Sequence, residues 1–236
     1  VPTCREDYFS STKITENIYK YICDSDFQNP IKNSLQIEIN FPGGLLVDET
    51  SNLPNPRARG GYDRDKNIIY LQKNRWCLKT LIHESLHATS YFAYGRFTEY
   101  GNILLLNEGI TEFLTGYILF DNYESCYNTW VKKDNDICNL TYETEVRTIA
   151  TLAREIGIKP FIDLYIWRPD IDWKEIYTDF LTEHGFTDVF FAYPDTSATV
   201  RFKIELEKKF GEEFVEFLEE EDLEHLLDYS DIPFQI

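Results

Sequence analysis

The segment His83-Glu84-Ser85-Leu86-His87 constrains this chain more than any other feature. Two histidines four positions apart act together only on a helix, where positions i and i+4 share one face, a turn apart. So placed, both imidazoles can reach one tetrahedral ion at about 2.0–2.1 Å. Glu84, beside the first of them, can reach a water at that ion and serve as its general base. The spacing predicts a helix over about 75–91, ended near Gly95. A catalytic ion needs a third protein ligand and an open position. The next predicted helix, about 102–120, offers Asn107-Glu108-Gly109-Ile110-Thr111-Glu112. Glu108 follows the apolar run Ile103-Leu104-Leu105-Leu106, where an unpaired carboxylate would be costly. Glu112, one turn further, can accept a hydrogen bond from the non-ligating nitrogen of a ligand histidine and so fix its tautomer.

Around this motif the pattern reads as a few strands followed by mostly helices, which predicts an α+β fold. A helix is expected over 12–24, with Ile14, Ile18 and Ile22 on one face. Alternation predicts strands over 35–41 and 67–72. Pro54, Pro56, Gly60 and Gly61 make 48–66 a long loop. A second loop is expected over 121–140, then helices over 141–156, over 172–184 from an Asp172/Glu175 capping box, and over 197–229 with a break at Gly211. At 236 residues, with 43% hydrophobic and 16% aromatic content, a full core is available.

Forty-one acidic against 23 basic residues give a formal charge of −18, which repels a phosphate backbone. Nucleic acid is therefore not an expected partner. No run of apolar residues is long enough for a membrane span, so no membrane partner is expected either. A cytoplasmic location is the expectation, with secretion after removal of a signal segment as the alternative. No two of the five cysteines form a CxxC pair. Cys4 with Cys23 and Cys126 with Cys138 can each close a short loop, leaving Cys77 over. Five free thiols are the competing reading.

The HExxH segment with uncharged flanks, followed by a helix bearing Asn107-Glu108, resembles the gluzincins, the zinc peptidase clan of thermolysin-like enzymes and zinc aminopeptidases. The resemblance covers roughly residues 60–116. It implies a zincin-like fold, with a small twisted sheet and the zinc helix in an N-terminal lobe, residues 1–94. A mainly helical lobe, residues 95–236, would carry the third ligand. It implies Zn2+ held by His83, His87 and Glu108, with Glu84 as general base and Glu112 orienting a histidine. It also implies hydrolysis of a polypeptide substrate, paired along an edge strand at 67–72. Clan members stabilise the tetrahedral intermediate with a tyrosine or histidine of the second lobe. Tyr142 and His184 are the candidates here. Two alternatives stay open: a zinc-binding protein that cleaves nothing, and a zinc hydrolase of a non-peptide amide or ester.

Overall fold

The computed structural model describes residues 20–21, 25–42, 45–91, 93, 105–131, 141–186, 204–214, 216 and 223–234. Among these the chain is mixed α+β. Strand β1 (Lys20–Tyr21) precedes helix α1 (Ser25–Leu35). Strands β2 (Leu46–Thr50), β3 (Gly60–Asp63) and β4 (Ile68–Gln72) follow, then helix α2 (Leu78–Thr89). A π-helical turn, Leu105–Gly109, runs directly into α3 (Ile110–Asn122). Helices α4 (Glu124–Val131), α5 (Glu143–Ile156), α6 (Lys159–Tyr165) and α7 (Trp173–Glu183) complete the helical part. Residues 204–210 and 223–226 are also helical.

The sheet has the order β1-β2-β4-β3. β2 and β4 run parallel, Leu46 opposite Ile68, while β3 returns antiparallel to β4, Gly60 opposite Leu71. The β3–β4 turn needs a left-handed residue, and Asn67 supplies it at φ 56°. β4 buries Ile69 and Leu71 on one face and leaves Ile68, Tyr70 and Gln72 half-buried, the alternation of a strand packed on one side. α2 crosses that buried side. Its side chains are buried nearly all the way round, His87 being half-buried. A helix so enclosed cannot leave Lys79, His83 or Glu84 unpaired without a large penalty. α3 lies against α2, and its Ile110, Phe113 and Leu114 are buried. One apolar cluster continues from Phe27 to Ile232.

Several expectations are corrected. Lys20 and Tyr21 pair with Val47 and Leu46 as a strand rather than ending a helix. The remainder of the 12–24 helix lies outside the described residues, except as β1. Leu35 closes α1, and 36–41 form no ladder despite their alternation. Ile39 is buried without a strand partner, so apolar packing alone accounts for the pattern. The loop over 48–66 contains most of β2 and all of β3. β4 is interior to the sheet, and β3 is the strand beside it with no further strand paired among the described residues. The loop at 121–140 contains α4, whose buried face is Cys126, Tyr127, Trp130 and Val131. Cys126 is a buried free thiol, and Cys77 is buried as well. Cys4, Cys23, Cys138 and the 94/95 lobe boundary lie outside the described residues. No described helix is long and apolar enough to cross a membrane.

Candidate metal centre

His83 and His87 project from one face of α2, and the π-turn before α3 brings Glu108 opposite them. Their ligand atoms form a nearly equilateral triangle. His83 Nε2 and His87 Nε2 are 3.1 Å apart, and Glu108 Oε2 is 3.2 Å from the first and 3.3 Å from the second. Two atoms bound to one tetrahedral centre at about 2.0–2.1 Å stand about 3.3–3.4 Å apart. The triangle thus has the dimensions of one face of such a tetrahedron, and its two nitrogens and one carboxylate oxygen are a donor set that can hold a metal ion.

The non-ligating nitrogens are tied down as well. A carboxylate only accepts, so His83 Nδ1–H donates to Glu112 Oε2, at 2.8 Å, and in the neutral imidazole the lone pair is on Nε2. Glu112 is fully buried. Its other oxygen takes the Thr141 N–H at 2.9 Å, the Thr141 hydroxyl at 2.8 Å and the Lys79 ammonium at 2.5 Å. The same carboxylate therefore orients a ligand histidine and pins the start of α5. On the other ligand, His87 Nδ1 lies 3.2 Å from the Tyr165 hydroxyl, at the end of α6.

Electrostatics follow from this crowding of charge. Burial opposes a proton on His83, but hydrogen bonds to Glu108 and Glu112 outweigh it and push its pKa up to about 10. Burial also works against the Glu112 charge, yet Lys79 and His83 hold its pKa down to about 2. Glu108 is likewise held low by both histidines, against its burial. Glu84 is the exception. Burial pushes it up, only partly offset by the two histidines, the direction that suits a group taking and returning a proton.

Comparison with family models, with curated proteins and with solved structures finds no match. The reading of the site therefore rests on its own geometry.

A cleft of about 620 Å³ opens onto the triangle, with Glu84, Asn107 and Tyr142 on its walls and Gly60–Asp63 of β3 along one side. Tyr142 caps α5 in the left-handed region, φ 58° and ψ 42°, a conformation a bulky residue adopts at a cost and one frequent at functional sites. Its ring stacks on His83, with centroids 6.3 Å apart and planes within 12°. Burial, then the charge of Glu108 and a hydrogen bond with it, push the phenol pKa up, so the hydroxyl keeps its proton. His184 is elsewhere. It caps the end of α7, packs on Phe180 and Phe186, and lines a different concavity with Asp163 and Arg168. Burial lowers its pKa.

The sequence-based reading passed over Lys79, Thr141, Tyr165 and Gly60. Lys79 carried a usable signal, being a cation four positions before His83 and so on the same face of the helix. The other three had none, because their roles depend on contacts between distant segments.

Proposed function

We propose that the chain is a zinc-dependent peptidase of gluzincin type with a zincin-like fold, acting on polypeptide substrates in the cleft beside β3. The observation that carries this reading is the triangle of His83, His87 and Glu108 with Glu84 next to it on an open cleft. A closed structural zinc site more often has four protein ligands, and it has no use for a raised carboxyl at its edge. When bound, the zinc ion supplies Lewis acidity toward a substrate carbonyl and its attacking water. Glu84 accepts the proton of that water as it adds to the carbonyl carbon, then delivers it to the departing amine nitrogen. Tyr142, held protonated, donates a hydrogen bond to the oxyanion of the tetrahedral intermediate. Glu112 keeps the His83 tautomer fixed throughout, and its bonds to Thr141 hold the segment that presents Tyr142.

Zinc content and cleavage of an unfolded protein, measured on the wild type, Glu84→Gln and Glu108→Ala, test the reading together. About one zinc per wild-type chain is expected. Glu84→Gln should keep that zinc and lose about 10²–10⁴-fold in cleavage rate. Glu108→Ala should bind zinc weakly. A wild type that takes up no zinc on reconstitution overturns the metal centre. A zinc-loaded wild type that cleaves esters or small amides but no peptide overturns the substrate class alone.

A further inference from the structure

We infer that Tyr165 is a positioning residue for His87, accepting the Nδ1 proton and donating its own to Thr111, so that the His87 Nε2 lone pair faces the metal position. This rests on the metal reading of the His83–His87–Glu108 group.

A proton inventory supports the direction of this relay. The Thr111 hydroxyl is hydrogen-bonded to the Asn107 carbonyl and is also 2.5 Å from the Tyr165 hydroxyl. It has one proton, and a carbonyl can only accept. The Thr111 proton therefore goes to Asn107, and its oxygen is left to receive the proton of Tyr165. The Ser90 hydroxyl is a second partner of the phenol, and its own proton goes to the His87 carbonyl at 2.8 Å. With the phenol proton turned toward these hydroxyl oxygens, the phenol oxygen can accept from His87 Nδ1–H. Were Tyr165 to donate to Nδ1 instead, the imidazole proton would sit on Nε2. It would then point into the triangle and oppose a cation there.

The fold holds this arrangement from both ends. The Tyr91 N–H donates to the Tyr165 carbonyl at 3.1 Å, and the Trp167 N–H donates to the Thr89 carbonyl at 2.9 Å. Ser90 and Ile166 form the antiparallel bridge between them. The end of α2, with His87, is thereby registered against the end of α6, with Tyr165. The relay also closes on itself, since Asn107 precedes Glu108, whose carboxylate meets His87. His83 has a charged carboxylate behind it, whereas His87 has a chain of neutral hydroxyls. Tyr165 is almost wholly buried, so bulk water has little access to take the place of a lost phenol oxygen.

The test is the zinc affinity of the metal-depleted full chain by chelator competition at fixed pH. Wild type, Tyr165→Phe, Thr111→Val/Ser90→Ala and Thr111→Ser/Ser90→Ala are compared, with thermal melting of each metal-free protein as the check on folding. Tyr165→Phe removes one oxygen and is expected to weaken zinc by about 10–100-fold. Thr111→Val/Ser90→Ala removes both hydroxyls at the phenol, turns the Tyr165 proton toward Nδ1, and should weaken zinc over the same range. Thr111→Ser/Ser90→Ala keeps the hydroxyl at 111 and should bind as the wild type does, a rescue that packing alone would not produce. A folded Tyr165→Phe with wild-type affinity overturns the inference. So does a folded Thr111→Val/Ser90→Ala with wild-type affinity, or a Thr111→Ser/Ser90→Ala as weak as the valine variant. A wild type that binds no zinc overturns the metal reading itself, and shows this before any variant is compared.

Discussion

His83 and a metal ion compete for the same lone pair. In the metal-free protein the carboxylates of Glu108 and Glu112 draw a proton onto this imidazole and, against its burial, raise its pKa to about 10. A ligand nitrogen must be neutral, so binding expels that proton. The apparent zinc affinity should therefore rise about tenfold per pH unit between pH 7 and 9, where His83 is protonated before binding. A chelator titration across that range checks it, and a flat profile would show that His83 is not the titrating ligand. The sign for folding is opposite. A histidine whose pKa is raised above 6.5 stabilises the metal-free fold fully below that value, and the contribution fades as pH climbs toward 10. Glu112 works at the other end. Its lowered pKa contributes stability above about 4.5 that is lost as pH falls toward 2.

Among the elements, the contact of β3 with α2 is one that a single methyl group would disturb beside the site. A Cβ on Gly60 would stand 2.7 Å from Thr80 Cγ2 and 3.0 Å from Glu84 Cγ. One of these side chains must give way, and Glu84 is the more flexible. Gly60→Ala is expected to keep zinc, cost roughly 1–3 kcal/mol in urea unfolding, and lower the cleavage rate by displacing the base. Full activity in a folded Gly60→Ala would show that the strand does not set the position of Glu84. Legibility in the sequence follows the same division between local and distant contacts. α2, the turn with Glu108 that runs into α3 with Glu112, and β4 were readable because each has a periodicity of its own. β3 was not, since Gly60 and Gly61 look like a loop until something is packed against them. α4 was hidden behind two cysteines that suggested a loop, although Tyr127, Trp130 and Val131 form a buried face. The alternation over 35–41 misled because it satisfies burial without a ladder. Tyr165 lies 78 positions from the histidine it meets, and no spacing rule connects them.

At the scale of the whole molecule, α2 and the turn before α3 are joined by the three residues that could hold a metal ion as well as by the apolar cluster that runs from Phe27 to Ile232. Zinc at about a hundredfold over its Kd should add about 2.7 kcal/mol. In a chain of this size that raises Tm by about 5–10 °C, and EDTA should reverse it in a melting scan. An unchanged Tm on loading would mean that the folded chain does not bind the ion in preference to the unfolded one. The arrangement of α6 has a consequence in time. Its first turn is held from the far end of the sequence, with the Ile158 N–H on the Pro233 carbonyl at 2.9 Å and the Lys159 N–H on the Phe234 carbonyl at 3.1 Å. Its last residue, Tyr165, stands behind His87. On the ribosome, His83, His87 and Glu108 emerge long before residues 233 and 234 do. A nascent chain thus carries its ligands well ahead of the last brace on the helix that supports them. Under the proposed peptidase reading, the support behind His87 is completed only once residues 233 and 234 have emerged, well after the three residues of the triangle.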